Sequence, residues 1–186
     1  MIATEASSAL RRFALTELVA VAVLAVGAAP AWAVDAVSAC SSAEHHQFDF
    51  WVGRWNVYAN GRPDKKVADS LIEAVYGGCG VRENWMPPGA GGAGGSLSTY
   101  VPARKAWRQF WIDAGGSAVD FTGGWTGQAM VLTGTWPQPG HADQITRMTY
   151  TPLADGSVEQ KLETSDDGGK TWAPSDDLIY RPAAAG

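Results

Sequence analysis

The sequence predicts an all-β protein, folded as a closed antiparallel up-and-down β-barrel of about ten strands with a short helical cap near the N-terminus. Three observations support this fold class. Short runs with period-2 alternation fill the chain after residue 34, with little helical periodicity. Clusters of Gly, Pro, Asn and Asp separate these runs. The connections are too short for crossover helices, so consecutive strands should pair antiparallel, and closure into a barrel would remove the exposed edges.

The first 33 residues are predicted to be a signal peptide rather than part of the fold. Arg11 and Arg12 supply a positive segment, and the apolar run 18–29 that follows is too short to span a bilayer. Ala31-Trp32-Ala33 has the small-residue pattern of a cleavage site. We therefore expect a periplasmic or secreted protein in which 34–186 forms a single domain, long enough for a real core.

Two cysteines, Cys40 and Cys79, remain after this cleavage. An even count in an oxidising compartment favours one disulfide, which would tie the N-terminal arm to the end of the second strand. Two unrelated buried thiols are the alternative. The segment 37–40 also looks like a lipobox, which would make Cys40 a lipidated N-terminus, but about ten residues separate it from the apolar run. A soluble exported protein is the favoured interpretation.

The barrel itself is predicted to begin with the aromatic run 48–55. Its first residues, 48–51, are expected to form a short turn of helix that caps one end. Gly53 and Trp55 then open the first strand. Turn residues such as Asn60-Gly61 and Gly77-Gly78 separate the strands that follow. The predicted strands are 53–59, 66–76, 79–87, 96–102, 106–113, 117–123, 128–136, 144–151, 157–165 and 175–182.

Two loops stand out between these strands. The stretch 87–96 is rich in Gly and Pro, and is either a lid over the barrel mouth or, as we favour, a tolerated surface insertion. Residues 165–172 match the Asp-box pattern S-x-D-x-G-x-T-W. We interpret this box as a β-hairpin turn in which Asp167 binds turn amides and Trp172 packs underneath. A propeller would repeat the box in every blade, and this sequence contains it once.

Charge and composition exclude several kinds of partner. The net charge is -5 and no basic stripe exists, so we expect neither nucleic acid nor an anionic membrane surface as a partner, and no stable membrane insertion. The three histidines, His45, His46 and His141, are expected at the surface. Since no Cys or carboxylate cluster accompanies them, we predict no metal site and no other cofactor.

Polar and aromatic residues share faces of several predicted strands, and those faces are candidates for a binding site. Ten strands enclose an interior wider than side chains alone easily fill, although large tryptophans could occupy it. If the shared faces point inward, the cavity is amphipathic and Glu83 and Arg147 could pair. Alternation fixes which residues share a face, but not which face is inside. The shared faces are Glu83 and Trp85; Trp107, Gln109, Trp111 and Asp113; Arg147 and Thr149; and Gln160 and Leu162.

These motifs together resemble a family of secreted bacterial lipocalin-like (calycin-type) domains of unknown function. The resemblance rests on the F-D-F-W-x-G-x-W start, Glu-x-Trp after Gly-Cys, Gln-x-Trp-x-Asp, an Arg two residues before a Thr, and a Gln before the single Asp box. It covers nearly all of 34–186. It implies a barrel like those of lipocalins and fatty-acid-binding proteins, in which Gly53 lets the backbone enter the first strand. Trp55 would plug the closed end and Arg181 of the last strand would lie over the Trp55 indole.

Three functions follow as hypotheses. The leading one is a non-enzymatic binding barrel for a small amphiphilic ligand. The alternative is a barrel enzyme of isomerase, cyclase or hydrolase type, with Glu83 as general base and Arg147 stabilising negative charge. The third is an interaction module, which would need an exposed apolar patch. The sequence specifies neither the ligand nor the oligomeric state. The predicted ligand-binding residues are Glu83, Trp85, Gln109, Trp111, Arg147 and Gln160.

Overall fold

A computed structural model describes residues 39–89, 91–137 and 143–184. Within these residues ten antiparallel strands form one closed barrel, in which each strand pairs with the next and the last pairs with the first. The predicted fold class is therefore confirmed. The predicted signal peptide over 1–33 and His141 lie outside the described residues.

The strands follow the alternation and turn residues of the sequence closely, and their observed ends lie within two residues of the predicted ends. They are β1 (Gly53–Ala59), β2 (Lys66–Val75), β3 (Gly80–Met86), β4 (Gly94–Val101), β5 (Ala106–Asp113), β6 (Ala118–Trp125), β7 (Met130–Trp136), β8 (Gln144–Pro152), β9 (Val158–Ser165) and β10 (Ala173–Pro182).

The predicted cap is present where β1 begins. Two short 3₁₀ turns, Ala43–His46 and Asp49–Trp51, precede the first strand. Phe48 and Trp51 are completely buried and stack with their ring centroids 4.9 Å apart. The Trp51 ring also lies 4.8 Å from the Tyr150 ring inside the barrel. Aromatic packing therefore closes this end of the barrel, which we call the cap end.

Trp55 is part of this closure, as predicted. Its side chain is 5% exposed, and Nε1 donates a hydrogen bond to the backbone oxygen of Trp51 at 2.9 Å. Gly53 has a φ of +158°, and a Cβ at this position would lie 3.3 Å from the Trp55 indole. A glycine here lets the ring fold back tightly against the start of its own strand.

The predicted contact between Arg181 and Trp55 is wrong. Arg181 pairs across the sheet with Asn56, one residue out of phase with Trp55. Neighbouring residues of a strand point to opposite faces, so Arg181 lies on the outer surface of the barrel. Its guanidinium carbon is 4.8 Å from the centroid of the Tyr58 ring. The inward position in this part of β10 belongs to Tyr180, which is 1% exposed.

The predicted disulfide is present. Cys40 and Cys79 are bonded, with their Cα atoms 5.0 Å apart. Since Cys79 follows the turn after β2, the bond ties the N-terminal arm to the cap end of the barrel. His45 in this arm is 5% exposed and packs edge-on against Tyr100, with ring centroids 5.3 Å apart. The expectation that all three histidines are at the surface is therefore wrong for His45, because an aromatic neighbour and the disulfide-bonded arm cover it.

The segment 165–172 forms the predicted hairpin turn, which we call the Asp167 hairpin. The Asp167 carboxylate accepts hydrogen bonds from the backbone amides of Lys170 and Thr171, each at 2.9 Å, and from the Ser165 hydroxyl at 2.8 Å. These hydrogen bonds lower the pKa of Asp167 to about 2, with the amide and hydroxyl of Thr171 contributing most. Every partner belongs to the turn itself, so the arrangement is structural.

In the part of the chain that the structure covers, no helix is long and apolar enough to cross a membrane.

Candidate functional site: a cavity inside the barrel

A cavity of about 300 Å³ lies inside the barrel. Because antiparallel strands alternate in direction, the ends of β3, β5 and β7 and the start of β10 share one rim, opposite the cap end. We call this rim the mouth. The cavity extends from side chains near the mouth down to Tyr150 and Tyr180, which rest on the cap. Its lining consists of Val67, Glu83, Trp85, Gln109, Trp111, Phe121, Trp136, Met148, Tyr150, Gln160, Leu162, Asp176, Leu178 and Tyr180.

Glu83, in the middle of β3, is the buried acidic group among the described residues of the lining. It is 6% exposed and accepts hydrogen bonds from the hydroxyls of Ser70 at 3.1 Å and Ser96 at 3.3 Å. Ser70 on β2 and Ser96 on β4 are its direct cross-strand neighbours, so the register of the sheet sets this cluster. Burial raises the pKa of Glu83 to about 7, and these hydrogen bonds only partly oppose that effect.

Tyr180 links Glu83 to the opposite wall. Its hydroxyl donates to Gln160 Oε1 at 2.8 Å and lies 3.4 Å from Glu83 Oε1. Gln160 Nε2 and the Tyr150 hydroxyl both contact the Met148 sulfur, at 3.6 and 3.4 Å. Burial first, and then the nearby Glu83 charge, raise the pKa of both tyrosines well above the usual value, so both stay neutral. We call Glu83, Gln160, Tyr150 and Tyr180 the polar floor.

Three partly buried tryptophans, Trp85, Trp111 and Trp136, line the cavity near the mouth and are called the mouth tryptophans. The backbone of β4 makes room for one of them. A Cβ at Gly94 would lie 2.6 Å from the Trp111 ring, so a glycine at this position lets the indole pack closely against the strand. Asp176, at the start of β10, is exposed and adds a carboxylate to the lining. The cavity therefore has an aromatic mouth and a polar floor.

The predicted inward position of Arg147 is wrong. On β8 the buried residues are Thr146, Met148 and Tyr150, so Arg147 has the opposite phase and faces outward. Its guanidinium pairs with Glu163 at 2.7 Å and lies 4.1 Å from the centroid of the Trp172 ring. The predicted pairing of Arg147 with Glu83, and its proposed role in stabilising charge in the cavity, are excluded by this orientation.

The structure brings the other five predicted site residues together, since Glu83, Trp85, Gln109, Trp111 and Gln160 all line the cavity. Sequence reasoning missed Tyr180 on β10. It also missed Met148 and Tyr150, because it chose the wrong face of β8. A signal for these two was present, since Met148 and Tyr150 are the larger and more apolar pair on that strand and alternate with Arg147 and Thr149.

Within the described residues, no group of three or more His, Cys, Asp or Glu side chains is arranged to hold a metal ion. Among the described residues, no Lys or Arg side chain lines the cavity. Its chemistry is that of hydrogen-bonding neutral groups, aromatic rings and carboxyl groups.

The outer surface carries a small apolar patch on β4 and β5. Leu97 and Phe110 are direct cross-strand neighbours, and Ile112 lies two residues further along the same face. The exposed fractions of Leu97, Phe110 and Ile112 are 43%, 52% and 53%. This is the kind of feature that the interaction-module hypothesis requires.

No family model matches the chain, and no curated protein matches it either.

Proposed function

We propose that this protein is an exported member of the secreted bacterial lipocalin-like domains and that it binds a small amphiphilic organic molecule inside its barrel. The single observation that carries the proposal is the 300 Å³ cavity with an aromatic mouth and a polar floor. Its volume is at the lower end of the range for small-molecule sites. A few converging polar groups among apolar walls are the usual composition of such sites.

The polar groups of the floor favour a cavity that binds a specific ligand over a cavity that is only a gap in the packing. A core that serves packing alone avoids buried carboxyl groups, because each costs free energy unless it is paired. Glu83 has no cationic partner in the described structure, yet lies at the centre of a hydrogen-bonded cluster facing open space. We assign to this cluster the role of orienting a bound ligand, while the mouth tryptophans supply apolar contact.

Export is supported by two independent features. The N-terminal sequence has the charge, apolar length and cleavage pattern of a signal peptide. The Cys40–Cys79 disulfide suits an oxidising compartment. The ligand would therefore be captured in the periplasm or outside the cell.

Blocking the cavity tests this proposal. Leu178 lines the cavity, whereas Ile179, the next residue of β10, faces away from it. A panel of small aromatic and aliphatic amphiphiles is screened by isothermal titration calorimetry against wild type, Leu178→Trp and Ile179→Trp. We expect Leu178→Trp to weaken binding at least about tenfold, by filling the space, and Ile179→Trp to bind like wild type. Thermal melts confirm that both variants are folded. Equal affinity in both variants, or no binding by wild type, would contradict the proposal.

A second candidate function is proton-transfer catalysis in the same cavity. The observation that favours it is Glu83 itself, because a pKa of about 7 suits a general acid or base at neutral pH. Arg147 has no part in it, and the tyrosine hydroxyls of the floor are the donors available to developing negative charge. The test is to recover a bound ligand after prolonged incubation and analyse it by mass spectrometry and NMR. Unchanged ligand supports binding alone, whereas conversion that stops in Glu83→Gln supports catalysis.

A further inference from the structure

We infer that the ligand carries a protonated amine, which sits against the Glu83 carboxylate on the polar floor, while its apolar body lies between the mouth tryptophans. This inference rests on the proposed function, because it names the chemical class of ligand for the same cavity. Four features of the interior support it, namely the missing counter-charge, the positions of the basic residues, the lining of the mouth and the acceptors on the floor.

The first is the missing counter-charge. The partners of Glu83 are hydroxyl groups of Ser70, Ser96 and Tyr180, and all three are neutral. Buried carboxylates are normally paired with a cation or bind a metal. A ligand ammonium group would supply the positive charge that the described residues do not place beside Glu83.

The second is where the basic side chains lie. Arg82, the sequence neighbour of Glu83, pairs on the outside with Glu73. Arg108 and Arg147, which are also next to lining residues in the sequence, pair on the outside with Asp120 and Glu163. Besides Glu83, the titratable groups of the described lining are Tyr150 and Tyr180, both held neutral, and Asp176. Within the described residues, the interior thus contains acidic groups with no positive charge to balance them.

The third is the lining of the mouth. The mouth tryptophans present indole rings, and the face of an indole attracts a cation more strongly than that of any other aromatic side chain. The Asp176 carboxylate lies in the same region. A ligand carboxylate would meet two acidic side chains on its way in, whereas an ammonium group would be attracted along the same route.

The fourth is the supply of hydrogen-bond acceptors on the floor. An ammonium group has three donors and no acceptor, so it needs a site rich in acceptors. In the described structure Glu83 Oε2 receives one hydrogen bond, the 3.3 Å bond from Ser96, and so has room for a shorter one. Gln160 Oε1 accepts from Tyr180 and retains a second lone pair. Each of these two oxygens can therefore accept a hydrogen bond from an ammonium group.

Three probes with a phenyl ring on a four-carbon chain separate the possibilities: 4-phenylbutylamine, 4-phenylbutanol and 4-phenylbutyrate. The affinity of each probe for wild type is measured by isothermal titration calorimetry at pH 8, where Glu83 is largely ionised. We expect the amine to bind at least about tenfold more tightly than the alcohol, as for a charge-assisted hydrogen bond, and the carboxylate to bind most weakly. Glu83→Gln should bring the amine to the affinity of the alcohol. Glu163→Gln, which removes a carboxylate from the outer face, is the matched control and should leave the amine preference unchanged.

The possible results distinguish a failure of this inference from a failure of the proposed function on which it rests. If the alcohol or the carboxylate binds as tightly as the amine, the cavity is a ligand site but the inference about the amine is wrong. If the amine preference persists in Glu83→Gln, the ammonium group does not sit on Glu83, and the inference is again wrong. If none of the three binds wild type, both the inference and the proposed function are contradicted for ligands of this size.

Discussion

Glu83 is an ionisable residue that is deeply buried, and burial disfavours its charged form. Its nearest partners offer hydrogen bonds but no positive charge, so ionisation of this buried carboxyl group costs free energy. Binding sites often retain such unfavourable groups because function requires them. The ligand-free protein should therefore show the cost in its dependence on pH.

The first prediction concerns that pH dependence. Burial raises the pKa of Glu83 from 4.5 to about 7, so between these pH values the unfolded chain releases a proton that the folded protein keeps. The free energy of unfolding should therefore fall by about 3 kcal/mol as the pH rises through this interval, and then level off. Glu83→Gln should remove this fall and be more stable than wild type at pH 8. The measurement is urea unfolding from pH 4 to 9.

Glu163→Gln is the control for this prediction, because Glu163 is a carboxylate on the outer face. It should retain the fall in stability seen in wild type. Parallel pH profiles for wild type and Glu83→Gln would show that the Glu83 pKa is not raised in the folded state.

A second prediction concerns Trp55, whose indole fills the cap end. Trp55→Ala should lower the free energy of unfolding by about 3–5 kcal/mol, as for other large buried aromatics. Trp55→Phe keeps most of the ring but loses the 2.9 Å hydrogen bond to Trp51, and should lose about 1–2 kcal/mol. Phe110→Ala, on the outer face, should change stability by only about 0.5 kcal/mol. An unchanged urea midpoint for Trp55→Ala would refute the role of Trp55 in closing the barrel.

At this scale the sequence predicts which residues share a face, but a slip of one residue reverses inside and outside. Glu83 and Gln109 lie inside as expected, and each shares its face with a tryptophan that also lines the cavity. The expectations for Arg147 and Arg181 are wrong, because each is one residue out of phase with an inward side chain, Met148 and Tyr180 respectively. Only the packing of the whole barrel decides that phase.

At the scale of elements, the strands and turns could be predicted almost completely, because their signals are local. Alternation defines each strand, and residues such as Asn60 and Gly61 define the turns. The Asp167 hairpin is the clearest case, since all the hydrogen bonds of its carboxylate lie within the turn itself. The burial of His45 could not be predicted, because it depends on Tyr100 on β4, far away in the sequence.

A third prediction belongs to the N-terminal arm, which the disulfide holds against the cap end. Cys40 and Cys79 are 39 residues apart, and the chain-entropy model gives a stabilisation of about 4 kcal/mol for a loop of this length. The double variant Cys40→Ser/Cys79→Ser should therefore unfold at a lower urea concentration than wild type. Adding dithiothreitol should lower the midpoint of wild type but not that of the double variant. Equal midpoints for wild type with and without reductant would contradict a stabilising role.

At the scale of the whole molecule, strand number and side-chain size together determine whether the barrel is hollow. Ten strands enclose more space than an eight-stranded barrel, which side chains fill easily. Here the largest buried aromatics, including Phe48, Trp51 and Trp107, gather at the cap end. The interior towards the mouth is consequently left open, with polar groups between the two regions. The sequence predicts such a cavity in outline, but its volume depends on how all the side chains pack.

The central claim is that this cavity holds a small amphiphilic amine, and a crystal structure of the protein soaked in 4-phenylbutylamine tests it most directly. The expected result is one molecule inside the barrel, with its nitrogen within about 3 Å of a Glu83 carboxylate oxygen and its phenyl ring between the mouth tryptophans. An empty cavity, with the amine bound on the outer surface or not at all, would contradict the claim.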